Sequence, residues 1–226
     1  HRRPNNIPAG APAIEVADTM KALEDLGRAA RGRTNAEVAA VTGSVGKTST
    51  KDMLRLALAT HGKTYATTGN YNNHIGTPLN LANLPPDAAF GVFEMGMNHA
   101  GEIRHLTAMV RPHVAVITNV EAVHLEFFKD VRGIADAKAE IFEGVEKGGI
   151  AVLPADNPHC DYLRQKADGL TVLTFGEKEG SHAKLLSYEP HIKGAEIIAA
   201  IAGQTISFTL RATGKHFAKT ALAALS

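Results

Sequence analysis

A glycine-rich turn followed by a lysine and a threonine is the strongest chemical signal in this sequence. The glycines at 43 and 46 allow a tight turn whose backbone N–H groups point inward, and a helix starting near Gly46 adds its positive dipole end. Lys47 would bring a mobile positive charge to a β- or γ-phosphate, and the Thr48 hydroxyl is of the type that ligates Mg²⁺. We therefore predict a phosphate-binding turn made of Thr42, Gly43, Ser44, Val45, Gly46, Lys47, Thr48 and Ser49.

This turn is shorter than the usual phosphate-binding loop. The usual spacing places a glycine where this chain has Val41. The alternative interpretation is a glycine-rich strand–helix turn that carries a surface lysine. The apolar strand predicted before the turn, the helical pattern after it and the intact Gly-Lys-Thr together favour phosphate binding.

Two further polar side chains follow apolar strands of the kind that is buried in a parallel sheet. Glu94 comes directly after the strand at 88–93, and His124 lies in the loop after the strand at 114–118. The carboxyl ends of such strands form the edge where open α/β sheets bind ligands. We predict that Glu94 serves Mg²⁺, the alternative being a strand-end acid in solvent. A lone loop histidine is usually a surface residue, so only the shared edge makes His124 a candidate.

Lys138 is out of place in the helix predicted from about residue 132 to 145. At about 100° per residue, Ile134, Ile141 and Val145 form one apolar stripe, and Lys138 sits near its middle. The acidic residues on the opposite side are Asp136, Glu140 and Glu143. A lysine on the apolar side must extend to water, pair with an acid or lose its charge, because an unpaired buried charge is costly. The helix alone leaves these three outcomes open.

The order of the predicted elements indicates an α/β fold. Apolar strands alternate with helical patterns up to about residue 175, which predicts a mostly parallel sheet flanked by helices, as in P-loop NTPases. Three short strands with hairpin turns follow and predict a small antiparallel subdomain from about Ala183 to Leu210. A helix over 20–31, capped by Asp18 or Thr19, is expected to direct Leu23 and Leu26 inward.

Composition limits the classes of protein that this chain can belong to. Its 226 residues suffice for one large α/β domain, or one domain and a fragment. The net charge of +1 provides no reason to expect nucleic acid or an anionic membrane as a partner. The single cysteine, Cys160, excludes an internal disulfide, and no apolar run reaches the length of a membrane span. We expect a cytoplasmic protein without membrane insertion.

Five motifs, taken in order and with their spacing, resemble a known family. They read TGSVGKTS, GNYNNHIGTPL, FEMGMNHAGEI, ITNVEAVHLEFF and IADAKAEIF. The chain resembles the central ATPase domain of the Mur ligases from about Ile14 to Leu225. The second and third motifs are similar to those of the branch that adds D-alanyl-D-alanine to UDP-N-acetylmuramoyl-tripeptide.

The resemblance implies an ATP-dependent amide-bond ligase of bacterial peptidoglycan precursor synthesis. In that chemistry the terminal carboxylate of the UDP-linked tripeptide takes the γ-phosphate of ATP, and the amine of D-alanyl-D-alanine attacks the acyl phosphate. Catalysis then depends on charge neutralisation and in-line positioning. We further expect a monomer, with no nucleic acid partner.

The family pattern also implies a role for each matching residue. Lys47 would hold the transferring phosphate, and Thr48 and Glu94 would hold a first Mg²⁺. His124 and a carbamate formed by CO₂ on Lys138 would hold a second Mg²⁺. Desolvation of Lys138 would favour the neutral amine, which is the form that reacts with CO₂. By the same resemblance, the residues lining the phosphate and substrate side would be Asn70 and Asn73.

The chain departs from the family at two points. Thr220 stands where the family has an asparagine that contacts adenine. Residues 1–35 are interpreted as a linker and remnant of an N-terminal domain, residues 36–226 as the central ATP-binding domain, and the C-terminal ligase domain as absent. The fragment alone is therefore expected to be inactive.

Two alternative functions stay open. One is a nucleotide-binding module without ligase activity, either truncated or degenerate. The other is a different ligase of the superfamily, such as a folylpolyglutamate synthase, against which the EMGMN motif argues.

Overall fold

The computed structural model describes residue 8 and residues 10–123 and 125–226, which form an α/β domain built on one sheet. The strands are β1 (Glu37–Thr42), β2 (Thr64–Ala66), β3 (Phe90–Glu94), β4 (Val114–Ile117), β5 (Ile150–Pro154), β6 (Thr171–Gly176), β7 (Ala183–His191), β8 (Gly194–Ile201) and β9 (Gln204–Leu210). The helices are α1 (Thr19–Gly32), α2 (Lys47–Leu58), α3 (Gly76–Ala82), α4 (Glu102–Val110), α5 (Val131–Ala139), α6 (Cys160–Lys166) and α7 (Lys215–Leu225). Short 3₁₀ segments occupy Leu125–Phe127 and Glu140–Gly144.

The sheet runs in the order β2-β3-β1-β4-β5-β6-β7-β8-β9. Every pair from β2 to β7 is parallel, and β7, β8 and β9 are antiparallel. The predicted mostly parallel sheet and its antiparallel C-terminal strands are therefore confirmed. These strands extend the main sheet, because β7 pairs with β6 through Phe175–Ala183 and Gly176–Lys184.

Alternate residues of the central strands pack on opposite faces of the sheet, as strand geometry requires. Ala40 and Phe93 belong to one core, with residues of α3, α4, α5 and α6. Val41 and Val92 belong to the other core, with residues of α2 and α7. Because both faces are covered, the carboxyl ends of β1, β3 and β4 are left as the accessible edge for a ligand.

The first helix packs differently from its predicted orientation. Asp18 caps α1 as expected, with its carboxylate accepting from the N–H groups of Met20 and Lys21. The prediction for Leu26 was wrong, because its side chain is 60% exposed. Gly27 is buried instead, and a Cβ there would lie 3.0 Å from backbone atoms of Pro78 in α3. The closeness of the two helices at this glycine decides which face of α1 is buried.

The helix that carries Lys138 is shorter than predicted. It ends as α5 at Ala139 and continues as the 3₁₀ segment Glu140–Gly144. Lys138 is only 3% exposed, so its side chain does not extend to water. Glu140, which the helical pattern places on the side opposite the apolar stripe, is buried as well.

Candidate active site

The glycine-rich turn joins β1 to α2 as the sequence predicts. Gly46 adopts a φ of +83° as the N-cap of α2, and no side chain caps this helix end. The first N–H groups of α2 therefore have no side-chain acceptor at the cap and face outward as anion donors. Gly43 passes so close to the residue that follows β4 that a Cβ there would lie 1.9 Å from Thr118 Oγ1. Only glycine fits this approach.

The other residues of the turn brace it against the loop after β4. Ser44 Oγ donates to the Glu121 carbonyl at 3.1 Å and accepts the Glu121 N–H at 2.9 Å. Thr118 Oγ1 donates to the carbonyl of Val45 at 2.5 Å. Thr42 is buried, and its hydroxyl has no hydrogen-bond partner within the described part of the chain. The turn is thus held in shape by the loop after β4, where the Asn119 carbonyl also accepts the Ser44 N–H at 3.0 Å.

Glu94 lies at the end of β3 beside the glycine-rich turn, as predicted. Its carboxylate is 3% exposed and accepts from Thr48 Oγ1 at 2.9 Å and from Asn72 Nδ2 at 2.7 Å. Both of these donors are neutral. No cationic side chain in the described part of the chain contacts Glu94 directly, and a buried carboxylate of this kind attracts positive charge. Carboxylate and hydroxyl oxygens are also the ligands that Mg²⁺ prefers, so Thr48 and Glu94 fit a Mg²⁺ ion.

Lys47 lies near this carboxylate, and Lys138 lies within range of the charge of Lys47. Lys47 Nζ donates to the Gly43 carbonyl at 2.8 Å. Burial lowers the pKa of Lys47, while the charge of Glu94 acts in the opposite sense. Burial, with a further contribution from the charge of Lys47, lowers the pKa of Lys138 to about 7. The structure thus brings Lys47, Thr48, Glu94 and Lys138 into one region, and much of Lys138 is neutral near pH 7.

The predicted asparagines have different surroundings. Asn70 and Asn73 both line a cavity of about 720 Å³ on the Lys47 side, which we call cavity B. Asn73 also holds the start of α3, because its Oδ1 accepts the N–H groups of Ile75 and Gly76. Asn72, which the sequence analysis did not select, is the residue that contacts Glu94. Its position between Asn70 and Asn73 could have marked it as a candidate site residue. Only the loop geometry shows which of these three asparagines contacts Glu94.

A second cavity of about 660 Å³, cavity A, opens on the other side of the turn. Gly46, Ser49 and Asn119 line it together with His216 and Thr220 of α7. The Thr220 hydroxyl donates to the His216 carbonyl at 2.9 Å within its own helix. The glycine-rich turn therefore lies between two cavities, and Lys47 lines cavity B while Ser49 and Thr50 of α2 line cavity A.

An ion cluster that the sequence analysis missed borders cavity A. Lys219 Nζ lies 2.7 Å from Asp156 and 3.0 Å from Glu177, and Asp156 also accepts the N–H groups of Glu177 and Lys178. These contacts lower the pKa of the Asp156 carboxyl against the effect of its burial. The cluster ties α7 to the ends of β5 and β6, and no local pattern in the sequence signals it.

Some predicted features are not visible in the described residues. His124 lies outside them, so its place relative to Glu94 stays a prediction. Among the residues that are described, no three His, Cys, Asp or Glu side chains form a metal-binding group. No helix in the described ranges is long and apolar enough to cross a membrane.

Comparison with known proteins identifies the family. The family described as "Mur ligase middle domain" matches residues 41–226. The chain belongs to the Mur ligase family. The resemblance inferred from the five motifs is thereby confirmed, and the Mur ligase match covers the glycine-rich turn from its first residue, together with Glu94 and Lys138.

Several members of the Mur ligase family are similar to this chain over most of its length. A UDP-N-acetylmuramoyl-tripeptide--D-alanyl-D-alanine ligase of Rickettsia prowazekii is 35% identical over 208 residues, which are 91% of this chain and 46% of that protein. The crystal structure of MurF from Acinetobacter baumannii matches 99% of this chain and 49% of its own, with 34% identity and a TM-score of 0.89. MurF ligase from Thermotoga maritima in complex with ADP matches 100% and 51%, with 28% identity and a TM-score of 0.85. This Mur ligase chain spans about half the length of the relatives it matches.

Proposed function

We propose that the protein to which this chain belongs is an ATP-dependent amide-bond ligase that adds D-alanyl-D-alanine to UDP-N-acetylmuramoyl-tripeptide. The observation that carries the proposal is the grouping of Lys47, Thr48 and Glu94 at the turn between cavities A and B, with buried Lys138 within range of the charge of Lys47. The relatives named for this reaction support the choice of substrates. The relative solved with ADP supports a nucleotide as the occupant.

The proposed reaction has two steps. The tripeptide carboxylate attacks the γ-phosphorus of ATP, and the bond between that phosphorus and the bridging oxygen breaks, so that ADP leaves. The amine of D-alanyl-D-alanine then attacks the acyl carbon, the carbon–oxygen bond to phosphate breaks, and the amine loses a proton. Two anionic reactants approach each other in the first step. The positive charge of Lys47 and the free N–H groups of α2 offset their repulsion.

We assign the nucleotide to the turn and to cavity A, with phosphate contacts from the residues between Thr42 and Ser49. The UDP-linked peptide would then lie on the side of cavity B, where Asn70 and Asn73 face it. The amides of Asn70, Asn72 and Asn73, together with Asn98, make this wall rich in hydrogen-bonding groups. Such a wall suits a polar, anionic substrate in the position required for attack on the γ-phosphate.

Mg²⁺ would be held by Thr48 and Glu94, where its charge would stabilise the phosphate oxygens. A second Mg²⁺ site would use His124 and a carbamate on Lys138. The depressed pKa of Lys138 leaves a lone pair on Nζ near neutral pH. That lone pair can form a bond to the carbon of CO₂ with loss of a proton, which replaces a buried amine with a carboxylate. Monomeric state and cytoplasmic location stay predictions of the sequence.

The test uses the full-length protein and measures phosphate release with UDP-N-acetylmuramoyl-tripeptide and D-alanyl-D-alanine. Both peptides should be required for sustained release, and the ligated pentapeptide should form in equal amount. Lys47→Ala should reduce the rate by about 100-fold or more, because it removes a charge from the transferring phosphate. The matched control is Lys63→Ala, which removes an exposed lysine paired with Asp87 and should leave the rate unchanged.

Two results would contradict the proposal. Phosphate release at the same rate with and without the two peptide substrates would indicate a nucleotide hydrolase. Nucleotide binding without phosphate release or product would indicate the alternative of a nucleotide-binding module.

A further inference from the structure

The buried carboxylate of Glu140 caps a helix to which it does not belong. Its Oε1 accepts the N–H of Gly101 at 2.7 Å, and its Oε2 accepts the N–H of Arg104 at 3.1 Å. Helix α4 begins at Glu102, and its own N-cap, Gly101, has no side chain that could accept these bonds. The orphan N–H groups of the first turn of α4 therefore depend on an acceptor from a distant segment. A buried negative charge is also favoured at this end of the helix dipole.

The segment that Glu140 holds forms one wall of cavity B. The connection from Glu94 to α4 contributes Gly96, Met97, Asn98, Ala100 and Gly101 to the lining. Glu140 stands two residues after Lys138, directly where α5 ends. One carboxylate thus joins the wall of cavity B to the last turn of the helix that carries Lys138.

Glu143, on the same 3₁₀ segment, has a different role. Its carboxylate pairs with the Arg104 guanidinium at 2.6 and 2.8 Å, and both side chains are about half exposed. Arg104 also lies 3.8 Å from Glu140. Glu143 therefore binds a side chain at the surface of α4, whereas Glu140 binds the backbone at its start. An exposed ion pair such as that of Glu143 with Arg104 contributes little to stability, so Glu143 provides a control for Glu140.

We propose that Glu140 is a positioning residue of the ligase. It fixes the position of the wall of cavity B relative to Lys138. This inference rests on the proposed function. Glu140 contacts backbone groups and none of the residues assigned to phosphate. Loss of its hydrogen bonds should therefore displace residues of the site without removing a group that contacts phosphate. Misplacement on the scale of 1 Å is enough to slow an enzyme about 100-fold. Cavity A does not include the capped segment, and its nucleotide affinity should not change.

The experiment compares Glu140→Gln, Glu140→Ala, Glu143→Gln and wild type in the full-length ligase. Gln keeps one acceptor of the same shape, and Ala keeps none. We expect kcat to fall about 10-fold for Glu140→Gln and about 100-fold for Glu140→Ala. KM for the UDP-linked tripeptide should rise, while Kd for Mg-ATP, measured by calorimetry, stays within twofold of wild type. Glu143→Gln should match wild type in every constant.

The outcomes separate this inference from the proposed function. An inactive wild-type ligase would refute the proposed function, whatever the variants do. With an active wild type, two results would overturn the positioning role. One is a kcat of Glu140→Ala equal to that of wild type, measured below the melting temperature of the variant. The other is failure of Glu140→Gln to fold at all, which would assign the residue to stability alone.

Discussion

The Thr48 hydroxyl donates a hydrogen bond to the Glu94 carboxylate at 2.9 Å, which joins the start of α2 to the end of β3. The two residues are 46 positions apart in the chain, and pairing of β1 with β3 brings them together. Glu94 also accepts from Asn72 at 2.7 Å. The pair therefore presents two hard oxygen atoms at the turn predicted to bind phosphate.

Glu94→Gln in the full-length ligase should lower kcat/KM by about 100-fold or more, because it removes the negative charge that would hold Mg²⁺. The fold should persist, since Gln can still accept a bond from Thr48 or Asn72. The measurement is the rate as a function of Mg²⁺ concentration, with half-saturation shifted upward. Glu37→Gln, an exposed acid at the start of β1, is the control. An unchanged Mg²⁺ dependence in Glu94→Gln would refute the assignment of this carboxylate to the metal.

Lys138→Ala should abolish turnover in the full-length ligase while circular dichroism stays as in wild type. Loss of the side chain removes the nitrogen that would form the carbamate. Added short carboxylates, such as acetate or formate, should restore part of the activity by supplying the missing oxygens. Turnover of Lys138→Ala near the wild-type rate would contradict a role for Lys138 at the metal. Mass or structural evidence of an unmodified Lys138 with ATP and Mg²⁺ bound would contradict the carbamate.

The stability of the 226-residue chain should rise with pH because of Lys138. Its pKa is about 7 when folded, against an ordinary 10.5, so the unfolded chain binds more protons between these values. Unfolding free energy should therefore increase from pH 7 to pH 10, by about 1 kcal/mol per pH unit relative to Lys138→Met. Urea unfolding at pH 7.5, 8.5 and 9.5 in CO₂-free buffer measures this. Lys63→Met, which removes an exposed lysine, should retain the wild-type slope. Equal slopes for wild type and Lys138→Met would show that Lys138 is not held neutral.

Gly43→Ala should destabilise the chain and weaken nucleotide binding. The added Cβ would lie 1.9 Å from Thr118 Oγ1, and Thr118 cannot move without losing its bond to the Val45 carbonyl. We expect a loss of about 2–4 kcal/mol in unfolding free energy. Gly148→Ala is the control, because Gly148 has a φ of +78° and open space around it. That substitution should cost only the backbone strain, about 1–2 kcal/mol. Equal losses for the two variants would show that the close approach at Gly43 is unimportant.

The 226-residue chain should bind Mg-ATP weakly, with Kd of about 0.1–1 mM, and should not ligate. The turn is complete within the chain, so phosphate contacts are available. The proposed ligation needs acyl phosphate and amine held together in a closed site, and this chain spans about half the length of its relatives. Calorimetric titration and a phosphate-release assay test both statements. Binding tighter than about 10 µM, or amide formation at the rate of a full-length ligase, would contradict them.

Local patterns in the sequence were sufficient for the framework of the site. The glycine and lysine spacing of the turn, each apolar strand and the acid at the end of β3 are each encoded by a few consecutive residues. Strand polarity then places Glu94 at the edge that holds the turn. For the same reason the parallel sheet and its antiparallel end were predictable from periodicity and turn residues.

Only the tertiary structure decided which side chains meet at that framework. Asn72 reaches Glu94 across 22 residues, and Glu140 reaches Gly101 across 39, so no helical or strand period could select them. Periodicity placed Glu140 opposite the apolar stripe, yet its carboxylate is buried because the start of α4 supplies two N–H groups there. Lys138 had three possible outcomes from the sequence, and burial together with the charge of Lys47 lowers its pKa to about 7, which favours loss of charge. Hydrogen-bond satisfaction and desolvation depend on every neighbour in space, and those neighbours come from segments that the chain brings together only by folding.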